Sequence, residues 1–356
     1  AYVLGNVGNT GGMVGACATF LYNLQMAVQD IQSGRAQIAV VGASEAPILP
    51  EVMEGYRAMS ALAEDEGLRK LDGESTEADH RRACRPFANN CGFTIAESSQ
   101  FLVLCNDKLA LELGAHIYAA VPDVFVHADG IKRSISAPGV GNYLTVGRAL
   151  DCMDQALNRR GTRSNSFAMA HGTGTPQNRV TESHILDSLA QAFNIQNWPV
   201  AAVKCFLGHS IGVAGGDQIA AALGVFQHGI LPGITTVASF ADDVHQSHIA
   251  LSNQHREFEQ NHFGGALINA KGFGGNNASA VLLSPHWCSD FLQQRYSKQQ
   301  WAAYQSSLET TQTAQLKYHD DVLTTIPESI YRFGEPEVKG AELNLSRDNI
   351  HIPGYL

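Results

Sequence analysis

The sequence predicts an α/β fold, on three observations. Short apolar runs of strand length recur along the chain, at Gln37–Ala43, Phe101–Cys105, Phe167–Ala170, Val200–Val203, Ala266–Asn269 and Ala278–Leu283. Between them lie stretches with a helical apolar period, such as Leu21, Leu24, Val28 and Ile31. Glycine-rich turns join strand to helix, as at His171–Pro176 and Gly208–Gly212. Alternation of this kind implies buried strands covered by helices.

In chain order, Gly15-Ala16-Cys17-Ala18-Thr19 opens a helix expected over Phe20–Ser33, and a buried strand follows at Gln37–Ala43. Residues 63–82 are charge-rich with little period and read as an exposed loop with some helix. Arg85-Pro86-Phe87 restarts order, and Phe101–Cys105 reads as a second buried strand. Asp107–Gly114 is a helix ending on a glycine cap. Ala119–His127 suggests a strand, Ser136–Gly141 a turn or lid, and Val146–Arg159 an amphipathic helix with Leu150, Met153 and Leu157 on one face. Strand Phe167–Ala170 delivers His171-Gly172-Thr173-Gly174-Thr175-Pro176, and helix Thr181–Phe193 follows. Strand Val200–Val203 leads into Lys204–His209 and a small-residue helix, Ala214–Phe226. Ala266–Asn269 precedes Lys271–Asn277, and Ala278–Leu283 closes the alternation. Trp287–Leu316 is a polar, aromatic-bearing helical extension, and Ile326–Leu356 an irregular tail.

Composition narrows the function. The apolar fraction of 44% suits a globular chain with a sizeable core. No apolar run reaches the about 20 residues of a membrane-spanning helix, and the first residues lack the basic and apolar regions of a signal peptide. The seven cysteines are scattered without a Cys-x-x-Cys pair, which argues for a reducing, cytoplasmic setting. A net charge of −10 makes nucleic acid an unsuitable partner. The basic clusters Lys132-Arg133 and Arg159-Arg160 with Arg163 read first as solvated surface, and second as docking points for an acidic partner.

Cys17, between small residues at a helix start, is a candidate nucleophile whose thiolate the helix dipole favours. His171 and His209 each occupy a glycine-rich loop and can donate hydrogen bonds to one reacting oxygen. Lys204 precedes His209 by five residues, and glycines around Phe273 let backbone N–H groups approach an oxyanion. The histidines have no carboxylate or thiolate companions at ligand spacing, so neither a metal nor another cofactor is expected.

Together these motifs closely resemble the β-ketoacyl synthase family, of the elongating Cys-His-His type. The matching stretches are Ala16–Thr19, Arg85–Phe87, His171–Pro176 with Glu182, Lys204–His209 and Gly272–Gly275, in the family's order. The resemblance implies a thiolase-like layered αβαβα fold, a homodimer, and acyl and malonyl thioesters of acyl carrier protein as substrates, with acyl-CoA as an alternative primer. It assigns Cys17 as acyl acceptor and the N–H groups of Cys17 and Phe273 as oxyanion hole. His171 and His209 would assist malonyl decarboxylation, and Glu182 and Lys204 would form a supporting ion pair, with Lys204 keeping the histidines neutral. Thr173 and Thr175 would bind the pantetheine arm. The reaction implied is a decarboxylative Claisen condensation in fatty-acid or related acyl-chain synthesis, at no membrane and with no nucleic acid.

The chain departs from the family pattern at Ala88, at Ala96-Glu97-Ser98, at Arg179, at Lys271 and at Asn276. Lys271 stands where an aromatic helps gate acyl entry, so a preference for short primers is expected. Only sixteen residues precede Cys17, where the family has a full half-domain. Residues before Ala1 are therefore expected to supply most of that half, and without them the strand near Ala43 would expose an apolar face. The expected division is 1–115 with the nucleophile, 116–284 with both histidines, and 285–356 as an extension packing over the first half or a dimer partner. The tail also resembles a long-chain bacterial subgroup that condenses acetyl-CoA with malonyl carrier protein to begin fatty-acid synthesis. A degradative thiolase is disfavoured by the lack of cysteine in Gly272–Gly275, and an initiating Cys-His-Asn synthase by His209. A non-catalytic subunit that shapes a polyketide-type product is the alternative, and Cys17 argues against it.

Overall fold

The small residues before Cys17 allow the chain to turn tightly and release the first helix, α1 (Thr19–Gln32), whose Phe20, Leu21, Leu24 and Val28 are buried. The computed structural model describes residues 8–74, 76–134, 137–326 and 337–354. After α1 come β1 (Ile38–Glu45), α2 (Pro50–Ala58), α3 (Asp65–Leu71), β2 (Ser98–Cys105), α4 (Asp107–Glu112), β3 (Val124–Ala128) and α5 (Gly141–Ser164). Then follow β4 (Ser166–Met169), α6 (Pro176–Ala192), β5 (Trp198–Ala201), α7 (Lys204–Leu207), α8 (Ala214–His228), β6 (Ile230–Leu231), β7 (Ile249–Ala250), β8 (Arg256–Glu257), β9 (Gly265–Gly272) and β10 (Asn276–Leu283). The helices α9 (Pro285–Arg295) and α10 (Lys298–Thr324) precede a small hairpin, β11 (Asn344–Leu345) and β12 (Ile350–His351).

A six-stranded sheet of order β3-β10-β9-β4-β5-β7 forms the centre. β3, β10 and β9 are antiparallel, and β9, β4, β5 and β7 run parallel. Side chains alternate across it as the pleat requires. Phe167 and Met169 of β4, with Ala266, Ile268 and Ala270 of β9, join the cluster built on α1 and α8. Ala168 and Leu267 point the other way, into the cluster built on α5 and α6. Beyond α1 and α8 lies the antiparallel pair β1–β2. The layers are thus helix, sheet, helix, sheet, four of the five expected, among the described residues.

The expectation of buried strands at Gln37–Ala43 and Phe101–Cys105 is corrected to burial of one face of β1 and β2 among the described residues. Val41 and Leu102 pack inward, whereas Ile38 and Val40 are 51% exposed and Phe101 and Val103 are 63% and 68% exposed. Only the inner face of this pair meets helices among the described residues, so alternate side chains stay outside. The turn or lid expected at Ser136–Gly141 lies partly outside the described residues, and α5 begins at its last residue.

Gly12–Glu309 form one compact unit. Within it, α9 and the start of α10 pack on α4 through Leu111, Leu292 and Tyr304, and the Tyr304 hydroxyl donates to Ala115 O at 3.0 Å. Residues 1–11 and 310–356 form a second unit, which holds the β11–β12 pair.

Candidate active site

The nucleophile candidate sits on a strained corner. Ala16 has φ of +49°, an uncommon region for a residue with a Cβ, and Cys17 follows two residues before α1. Strand β9 runs up to this corner. A Cβ on Gly272 would come within 2.2 Å of Gly15 O, so only glycine permits the approach. That approach brings the N–H of Phe273 onto the Cys17 sulfur, beside the N–H of Cys17 itself. Two backbone donors therefore converge where a thioester oxyanion would form on this residue.

The helix-start expectation for the thiol is reversed. Burial pushes Cys17 up to about 11, against the lowering effects of Lys204 and the two N–H groups. Its side chain is 3% exposed, and desolvation of a thiolate outweighs a dipole at that depth.

His171 follows the end of β4, and its loop is held from behind by Glu182 on α6. The Glu182 carboxylate accepts from His171 N at 2.6 Å, Gly172 N at 2.8 Å, Asn178 Nδ2 at 2.9 Å and Asn269 Nδ2 at 2.8 Å. Lys204, first residue of α7, donates from Nζ to His171 O at 2.6 Å. Glu182 and Lys204, expected as an ion pair, make no direct contact among the described residues, although the Glu182 charge acts favourably on Lys204. They grip the His171 peptide from its N–H and C=O sides, because each meets a backbone partner first.

His209 is fixed by a segment the sequence reading left without a role. His209 N donates to Thr94 O at 2.7 Å, Ala96 N donates to His209 O at 3.0 Å, and the Phe93 ring meets the His209 ring edge-on at 5.2 Å. Two residues on, Ile211 holds φ of +51°, an outlier for a β-branched side chain. The two imidazoles lie 5.4 Å apart at 87°. Both are held well below 6.5, first by burial and then by Lys204. Lys204 thus helps keep them neutral as expected, but desolvation is the larger cause. Each Nδ1 is buried without a hydrogen-bond partner among the described residues. A bare lone pair is cheaper to bury than an unpaired N–H, which places the proton on Nε2.

Cys17, His171, His209, Thr173, Thr175, Lys271 and Phe273 line one cavity of about 320 Å³. Thr173 and Thr175 share a hydroxyl contact of 3.1 Å there. Lys132 is not solvated surface: it lines the same cavity, 11% exposed, paired with Asp129 at 3.1 Å. Arg159, Arg160 and Arg163 are exposed. Arg179 pairs with Asp243 at 2.8 Å and reaches Asn90 Oδ1 at 3.3 Å, tying α6 to the segment after Phe87. No group of three or more histidine, cysteine or acidic side chains able to hold a metal occurs among the described residues. None of their helices is long and apolar enough to cross a membrane.

Gln218 of α8 is another residue without a signal in the sequence. Its Nε2 donates to Met169 O at 3.0 Å, Ala170 O at 2.8 Å and Asn269 O at 3.0 Å, joining the end of β4 to β9 beneath the cavity. Gln218→Leu removes a donor from these buried carbonyls. It is expected to cost about 3 kcal/mol of stability, read as a lower urea midpoint. A midpoint unchanged within error would show that the carbonyls find other donors.

The sequence profile described as "Beta-ketoacyl synthase, N-terminal domain" matches residues 1–110, and that described as "Beta-ketoacyl synthase, C-terminal domain" matches residues 118–238. The chain belongs to the β-ketoacyl synthase family. It is 52% identical, over 100% of its length, to the β-ketoacyl-[acyl-carrier-protein] synthase FabY of Pseudomonas aeruginosa, of which it spans 56%. Against the 3-oxoacyl-[acyl-carrier-protein] synthase 2 of Staphylococcus aureus the identity is 29%, over 78% of this chain and 64% of that one. The chain thus spans between about half and two thirds of the curated relatives it matches. The crystal structure of the noncanonical ketosynthase FabY from P. aeruginosa superposes with a TM-score of 0.96 at 51% identity, over 99% of this chain and 55% of that one. A type II polyketide ketosynthase, AntDE, solved with its acyl-carrier protein AntF, matches with a TM-score of 0.63 at 24% identity, over 78% of this chain and 63% of that one. That second likeness is one of fold. The expected thiolase-like α/β class agrees with these matches.

Proposed function

We propose that this chain carries the reacting centre of a β-ketoacyl-[acyl-carrier-protein] synthase. The observation that carries the reading is the convergence of Cys17, two neutral histidines and two N–H donors on one cavity. Residues 1–115 contribute the nucleophile and residues 116–284 the histidine pair, with 285–356 as the extension.

In the first half-reaction the Cys17 sulfur attacks an acyl thioester. The pantetheine C–S bond breaks, the departing thiolate takes up the proton that Cys17 gives up, and Cys17 keeps the acyl group. The oxyanion of the tetrahedral intermediate takes the N–H groups of Cys17 and Phe273. In the second, the C–CO₂⁻ bond of a malonyl thioester breaks, carbon dioxide leaves, and the electron pair forms an enolate. Nε2–H donors of His171 and His209 hold its oxygen. The enolate carbon then attacks the acyl carbon on Cys17, the bond between that carbon and Sγ breaks, and Cys17 leaves as a thiolate that takes a proton from solvent. Glu182 and Lys204 act as positioning residues through the His171 peptide. Thr173 and Thr175 hydrogen-bond the pantetheine arm at the cavity wall.

Acyl carrier protein is the proposed partner, with acyl-CoA as alternative primer, in a cytoplasmic homodimer of the fatty-acid pathway. The 52% identity to a FabY synthase supports this reading over a non-catalytic subunit. The test is a condensation assay with acetyl and malonyl thioesters of acyl carrier protein. The expected product is the acetoacetyl thioester with one carbon dioxide per turnover, and its absence in the active-site-loaded protein would overturn the reading.

Lys271 is expected to set primer length, since an ammonium in the cavity wall disfavours an apolar chain. Lys271→Phe should raise acylation by a decanoyl donor relative to an acetyl donor by roughly tenfold. An unchanged ratio would remove the gating role.

A further inference from the structure

Lys271 is the one lysine lining the cavity that forms no ion pair among the described residues; burial lowers it from the usual lysine range, and Glu182 and Asp129 act against that without pairing with it. The alternation along β9 places Leu267 in the core, Asn269 on the Glu182 carboxylate and Lys271 at the open end of the same face. Its Nζ donates to Asn178 Oδ1 at 3.1 Å, a neutral acceptor, and forms no ion pair among the described residues. The nearby carboxylates are already engaged. Glu182 accepts from four donors, and Asp129 accepts from Lys132 at 3.1 Å, Gly141 N at 3.1 Å and Asn277 Nδ2 at 2.8 Å. Among the charged side chains lining the cavity, Lys132 and Lys271 face a single carboxylate, Asp129. With Lys132 and Lys271 both protonated the wall carries one positive charge beyond Asp129, and a bound anion would favour that protonated state of Lys271 against the burial that lowers it.

The position of that charge indicates which anion. Lys271 is bound to Asn178, which donates to the Glu182 carboxylate that holds His171 N, so Lys271 stands on the His171 side of the cavity. A malonyl thioester whose carbonyl oxygen takes the histidine Nε2–H groups carries its carboxylate one carbon away. An acetyl primer carries none.

We propose that Lys271 is a specificity-determining residue that binds the carboxylate of the malonyl extender before decarboxylation. The inference rests on the condensing-enzyme reading above. It has a kinetic signature. The C–CO₂⁻ bond breaks to neutral carbon dioxide, so the ion pair exists in the ground state and dissolves along the reaction. Such binding lowers KM without raising kcat.

The test compares malonyl decarboxylation and acetyl transfer to Cys17, using thioesters of one acyl carrier protein so that carrier contacts cancel in the ratio. For Lys271→Met at low ionic strength, the malonyl KM should rise roughly tenfold or more relative to the acetyl KM. The kcat of decarboxylation should hold or increase, and Lys271→Arg should restore the malonyl KM. A malonyl-to-acetyl KM ratio within twofold of wild type would overturn the proposal. So would a parallel loss with both donors, the mark of a structural role. Wild-type protein that turns over neither thioester would instead refute the condensing-enzyme reading itself.

Discussion

Cys17→Ser is expected to abolish condensation, with a fall of about 10³-fold or more, while malonyl decarboxylation by the histidine pair persists. The serine hydroxyl keeps the position on the strained Ala16 corner and the two facing N–H groups. It lacks the sulfur that forms a labile thioester. Transfer of a labelled acetyl group followed by carbon dioxide release separates the two steps, and a variant condensing at wild-type rate would remove the nucleophile assignment. The thiol's environment adds a pH signature. Because Cys17 is pushed up to about 11, the thiolate fraction grows with pH throughout the neutral and mildly alkaline range. Iodoacetamide labelling should therefore rise close to tenfold per pH unit from neutrality, without a plateau near the ordinary thiol value. A plateau there would mean that the two N–H groups and Lys204 outweigh burial.

His171→Ala and His209→Ala are each expected to lower condensation by about 10²-fold or more, because each removes one Nε2–H donor from the enolate oxygen. A loss under threefold at either position would refute that residue's role. Both imidazoles are held well below 6.5, so malonyl decarboxylation, which does not use the Cys17 thiol, should stay flat as the pH falls through 6.5 and decline only below it. The stability consequence has a definite sign. The unfolded chain binds protons at these two sites below 6.5 while the folded chain resists them, so the stability they contribute is present above 6.5 and lost on acidification. In the double variant His171→Ala/His209→Ala that part of the acid sensitivity should shrink, which a pH series of urea midpoints measures.

The local reading of the chain and its tertiary structure divide at a physical boundary. The strands Phe167–Ala170 and Ala278–Leu283, the helix after Cys17 and the glycine loops around His171 and His209 are all legible, because period, propensity and turn chemistry act over a few residues. So is the family, since its motifs are short and ordered. Electrostatics is not legible in this way. Cys17 at a helix start reads as a thiolate, yet its burial depends on distant segments such as β9, which closes against Gly15 beside it. Glu182 and Lys204 read as a charge pair, but backbone groups of the His171 loop come between them in space. The exposed face of β1 and β2 follows from which layers the described residues supply, which a strand's own apolar pattern cannot report. Gln218, Asn178 and the segment Phe93–Ile95 carry no motif; only folding brings them to β4 and β9, to Glu182 and to His209. The sequence by itself determined the α/β class and singled out Cys17, His171 and His209 as candidates. The tertiary structure alone decided their protonation, their supports and the place of Lys271 in the cavity wall without an ion-pair partner among the described residues, because those depend on distance and desolvation between segments far apart in the chain.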